Sequence, residues 1–425
     1  MSDYKVITVF TIFVSFFLLS ISTFVSDGIG YRLSEKAQDF VAGTFFKQSV
    51  SHDELRERYE IVLNDDRKEL RKRRRQGLSN EPIKVLIVPG HDDRYTGAAF
   101  GDIREVDLNR KLSKELFNFL NDEDGFNVKL ASNESGYDKE LLKYFEKEEI
   151  EIRYFKNEYQ QKMNNLVQSG KVDLKGGMFH NSAPDDVVFK LYGINKWVND
   201  NNYDIVIHVH FNDYPGRESG QVGKYNGYAI YVPEKQFSNA RASKEFANFL
   251  FEQLGNVIPA SNLPGESDGV IEDQDLIAIG SYNTVDAVSV LVEYGYIYES
   301  VYTQPDVRDA MLKELAFQTY QGIKNFFNEV PVTKESTLLN KSIADRILKE
   351  GDIYKPAILG LQTLFRLEGL YPPPGKSFND CPLSGFFGEC TKESLKEFQV
   401  KNNIKPTGIF GPITRDAVDR KIKNI

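Results

Sequence analysis

The chain has 425 residues, of which 41% are hydrophobic and 27% charged, room for two or three globular domains with sizeable cores. A net charge of −9 and a pI near 5.4 exclude the basic surface a nucleic-acid binder needs, so no nucleic-acid partner is expected. The only cysteines, Cys381 and Cys390, have no histidine near them, which excludes a structural zinc site of four cysteines or of two cysteines and two histidines.

Residues 6–25 carry no charge over about 20 residues, enough to span a bilayer core. Residues 1–26 are therefore read as an uncleaved transmembrane signal anchor, a membrane partner for the chain. Ser20, Ser22 and Ser26 leave cleavage open, but no small-x-small site stands out. Lys5 on one side, with Arg32 and Lys36 on the other, does not settle orientation. Residues 27–80 read as a charged helical linker, with a basic run at 67–75. It is either solvated or attracted to anionic lipid or wall polymer.

A catalytic domain is expected over 81–330. The apolar run 85–88 is a buried strand stopped by Pro89-Gly90, with His91 at its end. Leu108, Leu112, Leu116 and Phe119 recur at helical spacing, and Glu105 sits just ahead of them. Residues 126–130 read as a second strand. Residues 139–167 are charged and helical in pattern, part of an insertion at about 139–185. That insertion packs on the sheet as a helical pair, or acts as a lid where an activating protein would bind. His180, in a loop, and His52, in the linker, read as solvated. A helix over 189–198 precedes a strand at 205–212, in which His208 and His210 alternate and face one side. The glycine-rich loop 216–227 is a natural wall for substrate. Strands are expected at 228–232 and 276–279, helices at 240–254 and 307–327, and an apolar strand at 287–292 ending in Glu293. Three strands thus end in a histidine or a glutamate, and in a parallel sheet those ends share one edge. Two histidines and a glutamate with a second glutamate nearby is the composition of a catalytic zinc site with its general base. No HExxH is present.

A second unit is expected over 338–425. Ile358, Leu361, Leu364 and Leu367 share one helix face. The pattern Gly-x-Phe-Gly-x-x-Thr occurs at 385–391 and again at 408–414, with Thr391 and Thr414 expected as helix N-caps. Cys381 and Cys390 lie in the Pro/Gly loop that follows the helix of Ile358 and Leu367. They are either reduced thiols or a local disulfide, which would require an oxidising compartment.

These motifs resemble those of the zinc-dependent N-acetylmuramoyl-L-alanine amidases that cut peptidoglycan. IVPGH with the later REVDLNRKL, HFN at 210–212 and LVEYGY at 291–296 appear in that family's order. The resemblance implies an α/β fold, a twisted, mostly parallel sheet with helices on both faces. It implies one Zn2+ held by His91, Glu105 and His210, with Glu293 as the catalytic carboxylate. His208 and Asn212 read as residues behind the ligands, with His208 alternatively packed in the core, a zinc ligand or a transition-state stabiliser. The chain departs from the family at Asp92-Asp93, where glycines are usual, at His208, where serine is usual, and in the length between Glu105 and His210. The C-terminal unit resembles the small three-helix peptidoglycan-binding domain through Gln362, Phe398-Gln399 and both glycine turns. The implied function is zinc-dependent hydrolysis of the amide between N-acetylmuramic acid and L-alanine, targeted to peptidoglycan by the C-terminal domain. A non-catalytic peptidoglycan-binding scaffold and a zinc peptidase acting on stem peptides are the competing readings. The implied location is membrane-anchored, with the catalytic part extracytoplasmic in the periplasm or cell wall. Secretion after cleavage is the alternative.

Overall fold

The computed structural model describes residues 70–74, 81–178, 182–214, 217–328, 334–339, 347–353 and 356–423. The expected signal anchor, most of the linker with His52, and His180 lie outside the described residues. No described helix is long and apolar enough to cross a membrane. The chain divides into two units, Met1–Leu55 with Gln161–Lys175, and Arg56–Gln160 with Gly176–Ile425. Of the first, the described part is the end of one helix and the turn after it. Everything below belongs to the second.

Its centre is a sheet of six strands. In chain order these are β1 (Ile83–Pro89), β2 (Phe126–Leu130), β3 (Ile205–Asn212), β4 (Ala229–Pro233), β5 (Val270–Asp273) and β6 (Val288–Tyr296). Their spatial order is β2-β1-β3-β6-β4-β5. The first four in that order run parallel. β4 is antiparallel to β6, and β5 is parallel to β4. The sheet is therefore mixed, more so than the expected mostly parallel one. β5, with the sequence VIED, is too short and polar to announce itself.

Alternation along the strands assigns the two faces. Val85, Ile87, Ile205, Ile207, Val209, Val290 and Val292 point into one core. There they meet helices α1 (Glu105–Asn121), α5 (Ala240–Leu254) and α6 (Pro305–Asn328). Leu108, Leu112, Leu116 and Leu120 of α1 are all buried there, each contributing about 1.5–3 kcal/mol. On the other face Leu86, Val88 and Val206 meet α2 (Lys139–Lys147), the start of α3 (Glu149–Gln168) and α4 (Asp185–Asp200). The helices of the insertion thus supply a layer of the fold. Phe145 and Ile152 close on Gly193 of α4 so tightly that a Cβ there would lie 2.7 Å from the Phe145 ring.

Two further expectations outside the C-terminal region are corrected. Residues 276–279 form no strand: Ile277–Ile279 is a 3-10 turn ended by Gly280 at φ 101°. Asp273 accepts hydrogen bonds from the Asp275 and Leu276 amides, each at 2.9 Å, and so bends the chain away from the sheet. The basic run is not a free linker where it is described. Arg73 pairs with Asp204 through two 2.9 Å hydrogen bonds, Arg74 with Glu123 at 2.7 Å, and Arg71 donates to the Phe326 carbonyl at 2.6 Å.

The C-terminal region holds three helices, α7 (Pro356–Leu367), α8 (Glu389–Lys401) and α9 (Pro412–Ile422). Thr391 and Thr414 are not the N-caps. Gly388 and Gly411 occupy those positions, without side-chain hydrogen bonds. The repeat instead encodes a glutamine bracket. Gln362 donates to Thr391 Oγ1 at 3.0 Å and accepts from the Gly385 amide at 3.1 Å. Gln399 donates to Thr414 Oγ1 at 3.0 Å and accepts from the Gly408 amide at 2.9 Å. Each buried glutamine satisfies a glycine turn and the first turn of the following helix.

Cys381 and Cys390 form a disulfide. Replacing both with serine should lower the stability of the C-terminal region by roughly 2–3 kcal/mol, the loop-closure value for a loop of about ten residues. Urea denaturation followed in that region checks it.

Glu299, just past β6, accepts from the Tyr296 amide at 2.8 Å and the Gly227 amide at 3.0 Å, tying the exit of β6 to the entry of β4. Burial raises its pKa from 4.5 to about 7, against those two hydrogen bonds. A carboxyl whose folded pKa is raised destabilises the fold as pH climbs from the unfolded to the folded value. Wild-type stability should therefore fall relative to Glu299→Gln between about pH 4.5 and pH 7 and stay level above. Parallel stability curves for the two proteins across that window would overturn the assignment.

Candidate functional site

The site forms at the carboxyl edge of the parallel strands, on the face opposite α1. Register decides its membership. Val88 pairs with His208 and Pro89 with Val209, so Gly90, one residue past β1, comes beside His210. Glu293 pairs directly with His210, and Leu291 with His208.

His91 follows the end of β1 at φ +69°, a left-handed conformation. Asp92 holds that turn: its Oδ1 accepts from the Arg94 amide at 3.0 Å and the Tyr95 amide at 2.9 Å. The two aspartates that depart from the family's glycines each find a cation, Asp92 with Lys190 at 2.7 Å and Asp93 with Arg110 at 2.8 Å. The loop then returns to α1. Its first amides have no side-chain cap. Glu105 N instead donates to Ala98 O at 2.9 Å and Val106 N to Thr96 O at 3.1 Å. This fixes Glu105 at the first helical position, with its carboxylate turned inward to accept from the Ala98 amide at 2.8 Å.

That carboxylate stands between both histidines. His91 Nε2 is 3.0 Å from Oε2, and His210 Nδ1 is 3.0 Å from Oε1. The three ligand atoms lie within 4.8 Å of one another. Among the described residues the cluster has no other member. His208 points to the same face but is buried. Burial, then the neighbouring His210, lowers its pKa to about 3, against a hydrogen bond to the Ala278 backbone. It is a neutral imidazole whose Nε2 has no partner among the described residues.

Charge follows from the same geometry. Burial works against an ionised Glu105, yet the hydrogen bonds and charge of His210 and His91 hold its pKa well below the usual carboxylate range. Burial depresses the His91 pKa, but Glu105 outweighs it and the pKa is raised. For His210 burial prevails and the pKa falls. Glu293 is pushed well up by burial and then by the charges of Glu105 and Glu266. Its Oε2 is buried with no partner among the described residues.

Glu266 was not legible in the sequence. It is buried and accepts from Asn212 Nδ2 at 3.0 Å, Tyr231 OH at 2.6 Å, Ser261 Oγ and Tyr296 OH at 3.1 Å. Asn212 therefore reaches Glu266 and not the histidine–glutamate cluster. Asn109 was also missed. It lies one turn after Glu105, a proximity that helical spacing signals, and donates to the Gly90 carbonyl at 3.0 Å.

Two imidazole nitrogens and a carboxylate oxygen, converging with an unpartnered carboxyl beside them, fit a divalent cation that keeps an open position. The space is cut to these side chains. A Cβ at Gly90 would lie 2.2 Å from the His210 ring, and one at Gly97 would lie 2.3 Å from Glu105 Oε2.

A sheet edge with this donor set, joined to a helical C-terminal region, defines a hydrolase-like α/β protein. The pattern describing N-acetylmuramoyl-L-alanine amidases matches residues 85–325, and that of a peptidoglycan binding domain matches 357–418. The chain belongs to the N-acetylmuramoyl-L-alanine amidase family and carries a C-terminal peptidoglycan-binding domain. No curated protein matches it. Among solved structures it is similar to the CwlD amidase of Clostridioides difficile in complex with the GerS lipoprotein, at 16% identity and TM-score 0.39, covering 58% of this chain and 99% of that one. It is also similar to the amidase Ami1 of Mycobacterium smegmatis, at 15% identity and TM-score 0.38, covering 59% of this chain and 100% of that one.

Replacing Gly90 with alanine should displace the His210 ring. Divalent-metal affinity, measured by calorimetry, should fall roughly 10–100-fold, the range for disturbed ligand support, while the circular dichroism spectrum stays unchanged.

Proposed function

We propose that this protein hydrolyses the amide between N-acetylmuramic acid and L-alanine in peptidoglycan, with zinc held by His91, Glu105 and His210 and with Glu293 as the proton-transfer group. The observation that carries the reading is the pairing of Glu293 with His210 across adjacent strands, beside the three donor atoms. Zinc bound there would lower the pKa of a water molecule and polarise the scissile carbonyl.

The chain's own groups perform the rest. Glu293 accepts a proton from the attacking water as its oxygen bonds to the lactyl carbonyl carbon. It then delivers that proton to the alanine nitrogen as the C–N bond breaks. The products are the lactyl carboxylate and a free α-amine. Burial, and then the charges of Glu105 and Glu266, raises the proton affinity of Glu293, which suits a group that must pick up a proton and pass it on. Glu266, fixed by four donors, holds the wall behind it. His208, neutral and buried, supports the sheet edge without adding charge.

Peptidoglycan is the partner of both domains in this reading. The protein works outside the cytoplasm, anchored through residues 1–26 or released by cleavage, and the insertion at 139–185 is where an activating protein would engage. The Cys381–Cys390 disulfide favours the oxidising side of a membrane.

Digesting purified wall and reading the products by mass spectrometry tests the chemistry. New L-alanine amino termini with free lactyl groups are expected, abolished by chelation and restored by zinc. Glu293→Gln should lose roughly 10²–10⁴-fold in rate and still sediment with wall. Cleavage within the stem peptide would indicate a peptidase instead. Wall binding without any cleavage would indicate a scaffold.

A further inference from the structure

A second cavity opens along the same sheet edge, outside the cluster. Its volume is about 440 Å³, within the roughly 300–1,000 Å³ of small-molecule sites. One wall is catalytic-domain loop, with Lys224, Tyr225, Asn226 and Tyr298. The other is the loop of the peptidoglycan-binding domain that carries Phe378 and Asn379. Neither domain makes this cavity alone.

The walls are clamped together. Arg366 of α7 donates to the catalytic-domain carbonyls of Gly255 at 2.7 Å and Ile258 at 2.9 Å. The same guanidinium lies 4.6 Å from the Phe378 ring centroid. Asn379 Oδ1 accepts from both Asn226 Nδ2 and Asn262 Nδ2, the latter at 3.0 Å. The Cys381–Cys390 disulfide closes the loop just beyond Asn379.

Side-chain contacts tie the cavity walls to the segments that lead to the site. Tyr225 packs edge-on against Tyr214, 4.9 Å between centroids, in the segment leaving β3. Tyr298 follows β6 and lies 6.4 Å from Phe100, on the hairpin that leads into Glu105. Arg217 bridges these pieces, 5.3 Å from the Tyr298 ring and bonded to the Ala99 carbonyl at 2.8 Å.

We infer that this interdomain cavity is a binding subsite for the N-acetylated glycan strand of peptidoglycan, beyond the sugar whose lactyl amide is cut. The inference rests on the amidase reading and adds to it where the polymer is gripped. The lining combines the rings of Tyr225, Tyr298 and Phe378 with aliphatic side chains and the mutually bonded amides of Asn226 and Asn379, a largely apolar wall with polar edges that suits the apolar faces and acetamido groups of a glycan. It does not suit the charged stem peptide. Glu299 at the cavity already takes two backbone amides, and the Lys224 ammonium sits 4.9 Å from the Tyr225 ring and 5.2 Å from Tyr214. The peptidoglycan-binding domain thereby completes a groove of the catalytic domain and acts as more than a tether.

The test uses the full chain carrying Glu293→Gln, with peptide-free glycan strands and free stem peptide as separate probes. Backbone hydrogen exchange should show protection at 222–226 and 378–383 on adding glycan strands and none there on adding stem peptide. Tyr225→Ala and Asn379→Ala, each in that background, should raise the glycan Kd roughly tenfold. Protection confined to other parts of the three-helix region, protection by stem peptide alone, or an unchanged Kd in both variants would overturn the inference. If a variant misfolds, the exchange pattern of the parent chain decides. None of these readouts needs turnover, so they stand or fall separately from the amidase assignment.

Discussion

One carboxylate bridging two imidazoles organises the working half of this protein. Glu105 is buried, and its charge is held there by His91 and His210, which face its two oxygens at 3.0 Å each, with the Ala98 and Phe211 amides donating to the same oxygens. Everything that places those three side chains is therefore under constraint: the left-handed turn at His91, the uncapped start of α1 seated on the Thr96 and Ala98 carbonyls, and the absence of a Cβ at Gly90. Removing one partner of such a buried set typically costs about 3–5 kcal/mol, because the remaining charge is stranded.

Around that bridge the site divides its carboxyl groups by environment. Glu105 is held ionised by its histidines. Glu266 is surrounded by four donors from Asn212, Tyr231, Ser261 and Tyr296. Glu293 has neither kind of company on its buried oxygen, and its proton affinity rises. Glu105 and Glu293, of one chemical type, thus carry opposite protonation behaviours.

The C-terminal region is joined to the catalytic domain by a buried guanidinium and an amide cluster. Arg366 spends its hydrogen bonds on two backbone carbonyls of the catalytic domain, and burial lowers its pKa only to about 10, so the clamp stays charged at neutral pH. Within the region, the two glutamine brackets repeat the same solution twice. The Gly and Thr of each repeat were legible as a turn followed by a helix. Gln362 and Gln399 stood out by resemblance, but their bridging role did not, because the threonine partner lies more than twenty residues away in one copy and fifteen in the other.

The sequence by itself determined the class of fold and the cluster. Strand ends, the alternation of His208 and His210 and the helical spacing after Glu105 are local signals, set by periods of two and 3.6 residues. Tertiary structure gave the reason that His210 and not His208 joins the cluster, as the resemblance implied: His210 faces Glu105, while His208 is buried deeper along β3. It alone brought in Glu266, which sits in an irregular loop without periodicity, and turned 276–279 away from the sheet through the Asp273 side chain. It also reversed β4 against β6 and set the peptidoglycan-binding loop beside Tyr225. Those outcomes depend on pairing and packing between residues distant in the chain, and no local pattern of residues records them.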